Sequence, residues 1–315
     1  MKQLQSEHLL LMGIDVIIVD PENEYEKLTK SMGGEFVVFS SFSQYKINPF
    51  ELETTDAGPD ELSNKILDLH SLMKVIMGDL TPSQDALLDR ALVLTYREKG
   101  ITQDVETFKN EPPLLEDLYK VFIGMETPEA KELSDPLEKF VSGSAAGIFN
   151  QRSNFDIKNP FTVFGIRDLE ENLRPVAMYV VLDYIWNRVR RDPKKRVLIV
   201  DEAWYLIKQK DSGAYLHSFA KRARKYKLGL TTITQDVEDF LATDEGRAII
   251  TNSSLQIILK QSTAAVEIIS KTFFLTGGER HFLLSAGIGE GLFFAGHSHV
   301  GFRVIASEEE KGLIE

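Results

Sequence analysis

The chain has 315 residues, of which 43% are hydrophobic and 27% charged, with a net charge of −12 and no cysteine. Such a length forms one large domain or two modest ones with an ordinary soluble core. The acidic balance argues against nonspecific coating of nucleic acid, and the missing cysteines exclude disulfides and thiolate zinc sites and fit a reducing cytoplasm.

The first predicted element is a helix over residues 1–12, with Leu4, His8 and Leu11 at helical spacing and Gly13 as its terminator. No residue caps its start. IDVIIVD follows, a continuous apolar run that suits an interior strand covered on both faces and that ends in Asp20. Gly13 and Asp15 interrupt LLLMGIDVIIVD, so it is no membrane span, and no signal-peptide pattern precedes it. Any membrane association is therefore expected through partners, at the cytoplasmic face. PENEYEKLTKSMGG reads as a turn and short helix, and EFVVFS as a second strand.

From residue 53 to 154 the pattern is helical. DELSNKILDLHSLMKVIMG, PSQDALLDRALVLTYREKG, PPLLEDLYKVFIGM and PEAKELSDPLEKFVSG are amphipathic and separated by Pro- and Gly-containing turns. SGSAAGIFN is expected as a flexible return. Alternating character then resumes: PFTVFGI as strand, RPVAMYVVLDYIWNRVRRD as a long helix, RVLIVDE as strand, SGAYLHSFAKRARKYK as helix and LGLTTITQD as strand. EGRAIITNS reads as a turn of helix, LQIILKQ as strand, TAAVEIISKTFF as helix and GLFFAGHSHVGFRVIAS as a terminal hairpin, with EEEKGLIE frayed. The expectation is an α/β fold. Residues 1–52 and 155–315 form a core with a mostly parallel sheet, and residues 53–154 an inserted all-α subdomain.

Asp201 and Glu202 carry the strongest chemical signal. They end a buried strand at its carboxyl tip, where open α/β sheets bind ligands. One carboxylate there can hold Mg²⁺; the second can orient water toward a γ-phosphate. This is the pattern of a Walker B segment. Its usual partner, G-x-x-x-x-G-K-[ST], occurs nowhere in the 315 residues. In β-α-β architecture that loop joins a strand to the helix after it, and here the chain enters at such a helix. The first strand and its loop are thus expected to lie just before residue 1, and this polypeptide alone to bind ATP weakly and hydrolyse little.

Gln235 ends the next strand, where an amide can meet the γ-phosphate or place water; an ordinary turn residue is an equal alternative. Asp20 and Glu24 lie at another strand tip, near the nucleotide or, as the preferred reading, in Asp-Pro turn chemistry. FAKRARKYK gathers Lys221, Arg222, Arg224, Lys225 and Lys227. It could supply an arginine in trans or touch DNA or a partner, and for most of the five a solvated helix face suffices. The glycines of AGIGEG precede a strand rather than a helix, His297 and His299 lack a third ligand, and SKT at 270–272 has no glycines.

Several segments in order, VIIVDPENEYEKL, the helical insertion, VLIVDEAWYLI, FAKRARKYKLGLTTITQDVEDFL, IITNSSLQIILKQ and GEGLFFAGHSHVGFRVIAS, resemble the C-terminal ATPase domain of type IV secretion and conjugation ATPases. These form the VirB-four/TrbE/TraC class within the HerA–FtsK superfamily of RecA-like motors. The resemblance implies a RecA-like P-loop NTPase core with an inserted helical subdomain, and ATP and Mg²⁺ as cofactors. It also implies hydrolysis that powers pilus assembly or the transfer of protein or DNA. Residue by residue, Asp201 and Glu202 match the Walker B pair, with Asp201 toward Mg²⁺ and Glu202 catalytic. Gln235 matches the polar residue of the next strand, Arg222 or Arg224 the basic helix that reaches a neighbouring ATP, and Asp20 and Glu24 the D-x-x-x-E-Y segment. Implied partners are further copies in a dimer or hexamer, inner-membrane secretion components, a coupling ATPase and, weakly, DNA. Two other readings stand beside it: a nucleotide-independent scaffold of the same fold, and a HerA/FtsK-like DNA translocase.

Overall fold

Five parallel strands order the centre of the molecule. The computed structural model describes residues 2–40, 42–52, 58–208, 210–296 and 298–314. Helix α1 (Lys2–Leu11) turns through Gly13, at φ +71°, into β1 (Asp15–Asp20); α2 (Glu26–Ser31) and β2 (Glu35–Val38) follow. With β3 (Phe161–Gly165), β4 (Arg196–Val200) and β5 (Leu228–Thr232) they form a sheet in the order β2-β3-β1-β4-β5, every pair parallel.

The central strand, β1, shows why a continuous apolar run was needed. Its successive side chains point to opposite faces. Val16 and Ile18 pack with Tyr25, Leu28, Phe161, Val163 and Ile199, joined by Leu9 and Leu10 of α1. Ile17 and Val19 enter the larger core on the other face. That core includes α8 (Arg174–Arg191), which buries Val176, Val180, Ile185 and Val189.

The helical stretch forms as expected: α3 (Glu61–Met77), α4 (Pro82–Glu98), α5 (Leu115–Gly124) and α6 (Pro128–Val141). Thr81 and Thr127 cap α4 and α6 ahead of a proline at the first turn. The return is not a flexible link. It contains a helical turn, α7 (Ala146–Phe149), whose Ile148 and Phe149 are buried against the same core because the segment must seal the insertion. The insertion is tied to α8 by polar contacts. Lys65 pairs with Asp183 at 2.8 Å, Arg190 grips Glu61 with both terminal nitrogens, and Tyr179 donates to the Asp68 carbonyl at 3.0 Å.

After β4 the chain makes a short helix α9 (Trp204–Ile207), then α10 (Lys210–Ala223); after β5 come α11 (Val237–Ala242) and α12 (Asp244–Asn252). The C-terminal part departs from expectation in two respects. The apolar strand β6 (Leu255–Leu259) does not join the parallel sheet. It pairs antiparallel with β7 (Glu290–Ala295), which pairs with β8 (Ser298–Arg303) in a separate three-stranded sheet. Between β6 and β7 lie α13 (Thr263–Thr272) and α14 (Gly277–Ser285), whose Ile269 and Leu283 cover Ile258, Leu292 and Phe294. The terminal acidic run is not frayed but forms α15 (Glu308–Ile314), with the Ser307 hydroxyl accepting from the Glu310 N–H.

Candidate functional site

Parallel strands end at the same edge, so the residues following β1, β4 and β5 converge. The register places Val19 beside Val200 and Val200 beside Thr232, which sets Asp20 next to Asp201 and brings the chain after β5 alongside Glu202. Backbone bonds continue the alignment past the strands: Asp201 N–H donates to Val19 O at 3.0 Å and Ala203 N–H to Ile233 O at 2.9 Å.

Asp201 and Glu202 are only 2% and 6% exposed. The Asp201 carboxylate accepts the Glu202 N–H at 3.1 Å. Glu202 sits at φ +46°, a left-handed conformation that costs a side-chain-bearing residue on the order of 1–3 kcal/mol. Its two oxygens take different donors. Oε1 accepts from Gln235 Nε2 at 2.6 Å and Oε2 from Trp204 Nε1 at 2.8 Å.

Asp20 is fully buried and accepts from the backbone N–H groups of Glu22 at 3.2 Å and Tyr25 at 3.0 Å. The Asp-Pro turn reading therefore holds for its hydrogen bonds. Its carboxyl is nonetheless pushed up to about 6: burial raises it most, these N–H donors pull it back, and the neighbouring Asp201 charge raises it further. Glu24 is exposed, and its carbonyl accepts from Gln3 Nε2 at 2.7 Å. That bond fixes the amino end of α1 beside the tip of β1.

Arg222 and Arg224 lie elsewhere. They occupy the end of α10 and the turn leading into β5, at the amino-terminal edge of the sheet, a strand's length from Glu202. Arg222 stacks over the Trp186 ring at 4.8 Å and donates to Ser218 O. Among the described residues, none of Lys221, Arg222, Arg224, Lys225 and Lys227 forms an ion pair. Within one protomer neither arginine meets Glu202.

Asp20, Asp201, Glu202, Gln235 and Glu24 are thus brought to one edge. Two contributors were not singled out from sequence, Trp204 and Arg174; the only signal for the first was its place two residues after Glu202. His299 pairs with Glu279 at 2.6 Å and stacks on Phe294, and His297 lies outside the described residues. No group of three or more His, Asp or Glu side chains suited to a metal occurs among the described residues. Two buried acids do fit Mg²⁺, an ion that takes one or two protein carboxylates and fills its shell with water and phosphate oxygens. The phosphate-cradling loop has no counterpart in the sequence.

The family model of the TraG P-loop domain matches residues 3–290. No curated protein matches the chain in sequence. Among solved structures, VirB4 of Thermoanaerobacter pseudethanolicus superposes with a TM-score of 0.89 at 29% identity, covering 98% of this chain and 86% of that one. The bacterial conjugative coupling protein TrwBΔN70 in its unbound form gives 0.66 at 13% identity, covering 98% of this chain and 82% of that one. Plasmid coupling protein TrwB in complex with ADP and Mg²⁺ gives 0.52 at 12%, covering 93% and 86%; at such identities the likeness is one of fold. The mostly parallel α/β core expected from sequence is the core these proteins share.

Proposed function

This chain belongs to the TraG P-loop domain family, and from that premise we propose that it is the ATPase motor domain of a type IV secretion or conjugative transfer system. The observation that carries the reading is the meeting of Asp20, Asp201, Glu202 and Gln235 at the tips of three adjacent parallel strands, beside the amino end of α1.

Asp201, a buried carboxylate at the tip of β4 beside Asp20, is the residue to hold Mg²⁺, and Glu202 the residue to orient and take a proton from water. Magnesium bound with ATP supplies charge neutralisation on the phosphates. Gln235 fixes the Glu202 carboxylate. Asp20, whose carboxyl burial pushes up to about 6, takes up a proton as pH falls below that value and so relieves the negative charge packed at the strand tips. Arg222 or Arg224 serves a neighbouring subunit, which requires a dimer or ring in which the amino-terminal edge of one sheet meets the carboxyl edge of the next. The division into a core (1–52 and 155–315) and a helical subdomain (53–154) is supported by the helices, without strands, among the described residues of that stretch. No helix among the described residues is long and apolar enough to cross a membrane. In this reading, attachment at the cytoplasmic face belongs to secretion-system partners and a coupling ATPase.

The test is phosphate release by this polypeptide extended at its amino end with a strand and a G-x-x-x-x-G-K-[ST] loop. Hydrolysis that Glu202→Gln abolishes supports the motor. Absence of any hydrolysis, with the fold intact, supports the nucleotide-independent scaffold instead.

A further inference from the structure

Trp204 does more than fill space beside the acid it follows. Its indole N–H bonds Glu202 Oε2, leaving Gln235 on the other oxygen. The indole lies flat against Tyr205, with ring centroids 3.9 Å apart and planes 23° apart. Lys208 Nζ sits over the indole, 4.1 Å from the ring centroid, and is itself paired with Asp239 of α11 at 3.0 Å. The Tyr205 hydroxyl accepts from Arg174 Nη1 at 3.0 Å, and the same nitrogen donates to Glu22 at 2.8 Å. Arg174 Nη2 donates to the Arg167 carbonyl at 3.1 Å. The Arg174 side chain is 15% exposed, and its Nε is buried without a partner among the described residues.

Helix α9 is four residues long and cannot order itself, since an isolated turn of helix is unstable in water. Glu202 is held in a left-handed conformation that its own residue type disfavours. Something outside the turn must fix both. We propose that Trp204 is a positioning residue for the Glu202 carboxylate, and that Arg174 braces it by anchoring the Trp204–Tyr205 stack to the Asp20–Tyr25 segment through Glu22. The brace ties the strand tips of β1 and β4 together from the side opposite Gln235. In this part-buried arginine one nitrogen is left unpaired, while its two remaining nitrogens span three partners from separate parts of the chain.

The inference rests on the reading of Glu202 as the acid that serves hydrolysis, and its test is independent of turnover. The chain contains two tryptophans, so an amide NMR spectrum carries two indole signals, and Trp204→Phe assigns them by deletion. Hydrogen exchange of the Trp204 indole is measured in Glu202→Ala, Arg174→Met and Tyr205→Phe, with the buried Trp186 as internal reference. Exchange is expected to quicken about tenfold in all three while Trp186 is unchanged. Tyr205→Phe removes only the hydroxyl, so it decides the matter even where Arg174→Met fails to fold. Wild-type exchange in Tyr205→Phe, or an equal rise at Trp186, overturns the brace; wild-type exchange in Glu202→Ala overturns the hydrogen bond. Turnover assays of the loop-extended protein bear only on the ATPase reading, whose failure would leave the exchange result standing.

Discussion

Gln235 and Glu202 are joined by a 2.6 Å hydrogen bond between the tips of β5 and β4. An amide donor at that distance aims the carboxylate without neutralising it. In the loop-extended protein, Gln235→Ala is expected to lower steady-state phosphate release by about ten- to a hundredfold, within the range that general-base positioning supplies. Gln235→Glu should be worse than alanine, because it sets a second carboxylate against the first. Equal rates for wild type and Gln235→Ala would remove Gln235 from the site.

Gly165 makes room for the turn that carries Asp20. A Cβ there would lie 2.5 Å from Asn23 Oδ1 and 2.7 Å from Phe36 Cζ. Asn23 is itself left-handed at φ +56°. Gly165→Ala is expected to destabilise by about 1–3 kcal/mol through overpacking, read as a lower urea midpoint. An unchanged midpoint would mean that the turn can move aside.

Lys65 and Asp183 dock the helical insertion on α8. They are 3% and 8% exposed at 2.8 Å, and Asp183 also accepts from the Tyr215 hydroxyl at 3.3 Å. Lys65→Met strands a buried carboxylate and is expected to cost about 3–5 kcal/mol. The double variant Lys65→Met with Asp183→Leu should recover part of that loss. If the single change is neutral in thermal or urea unfolding, the pair does not hold the insertion.

Much of this was legible in the residues. VIIVD and RVLIVDE are unbroken apolar runs ending in acids, which is what two-sided burial in a parallel sheet demands, and both strands formed. LQIILKQ reads the same way yet joined the other sheet. An apolar run marks a strand but fixes neither its partner nor its cover, and of β6 only Ile258 is buried. Helices α9 and α11 are too short to display a period, and α14 buries a single side chain, Leu283. The Glu202–Gln235 bond and the Arg174 brace join residues 33 and 31 positions apart, so no local pattern carries them.

Stability should respond to pH through Asp20 and Asp68. Each is raised to about 6, first by burial; the neighbouring Asp201 and Asp183 charges add to it. An unfolded aspartate titrates near 4, so the folded state binds the extra proton between the two values. The stabilisation these groups contribute is complete below about pH 4 and is lost as pH rises through about 6. Asp20→Asn should remove its share of that fall, no more than about 3 kcal/mol and less once the lost acceptor is counted. Urea unfolding of the variant and the wild type at pH 5 and pH 8 checks the difference; an identical decline would show that Asp20 titrates normally.

The most direct measurement places the metal. Mn²⁺ bound with ADP to the loop-extended protein gives an electron paramagnetic signal sensitive to its ligands. Asp201→Asn is expected to weaken Mn²⁺–ADP binding by about tenfold or more, while Arg222→Ala leaves binding to the isolated protomer unchanged. If Asp201→Asn binds Mn²⁺–ADP as tightly as wild type, the buried acids at the strand tips do not handle a nucleotide's metal.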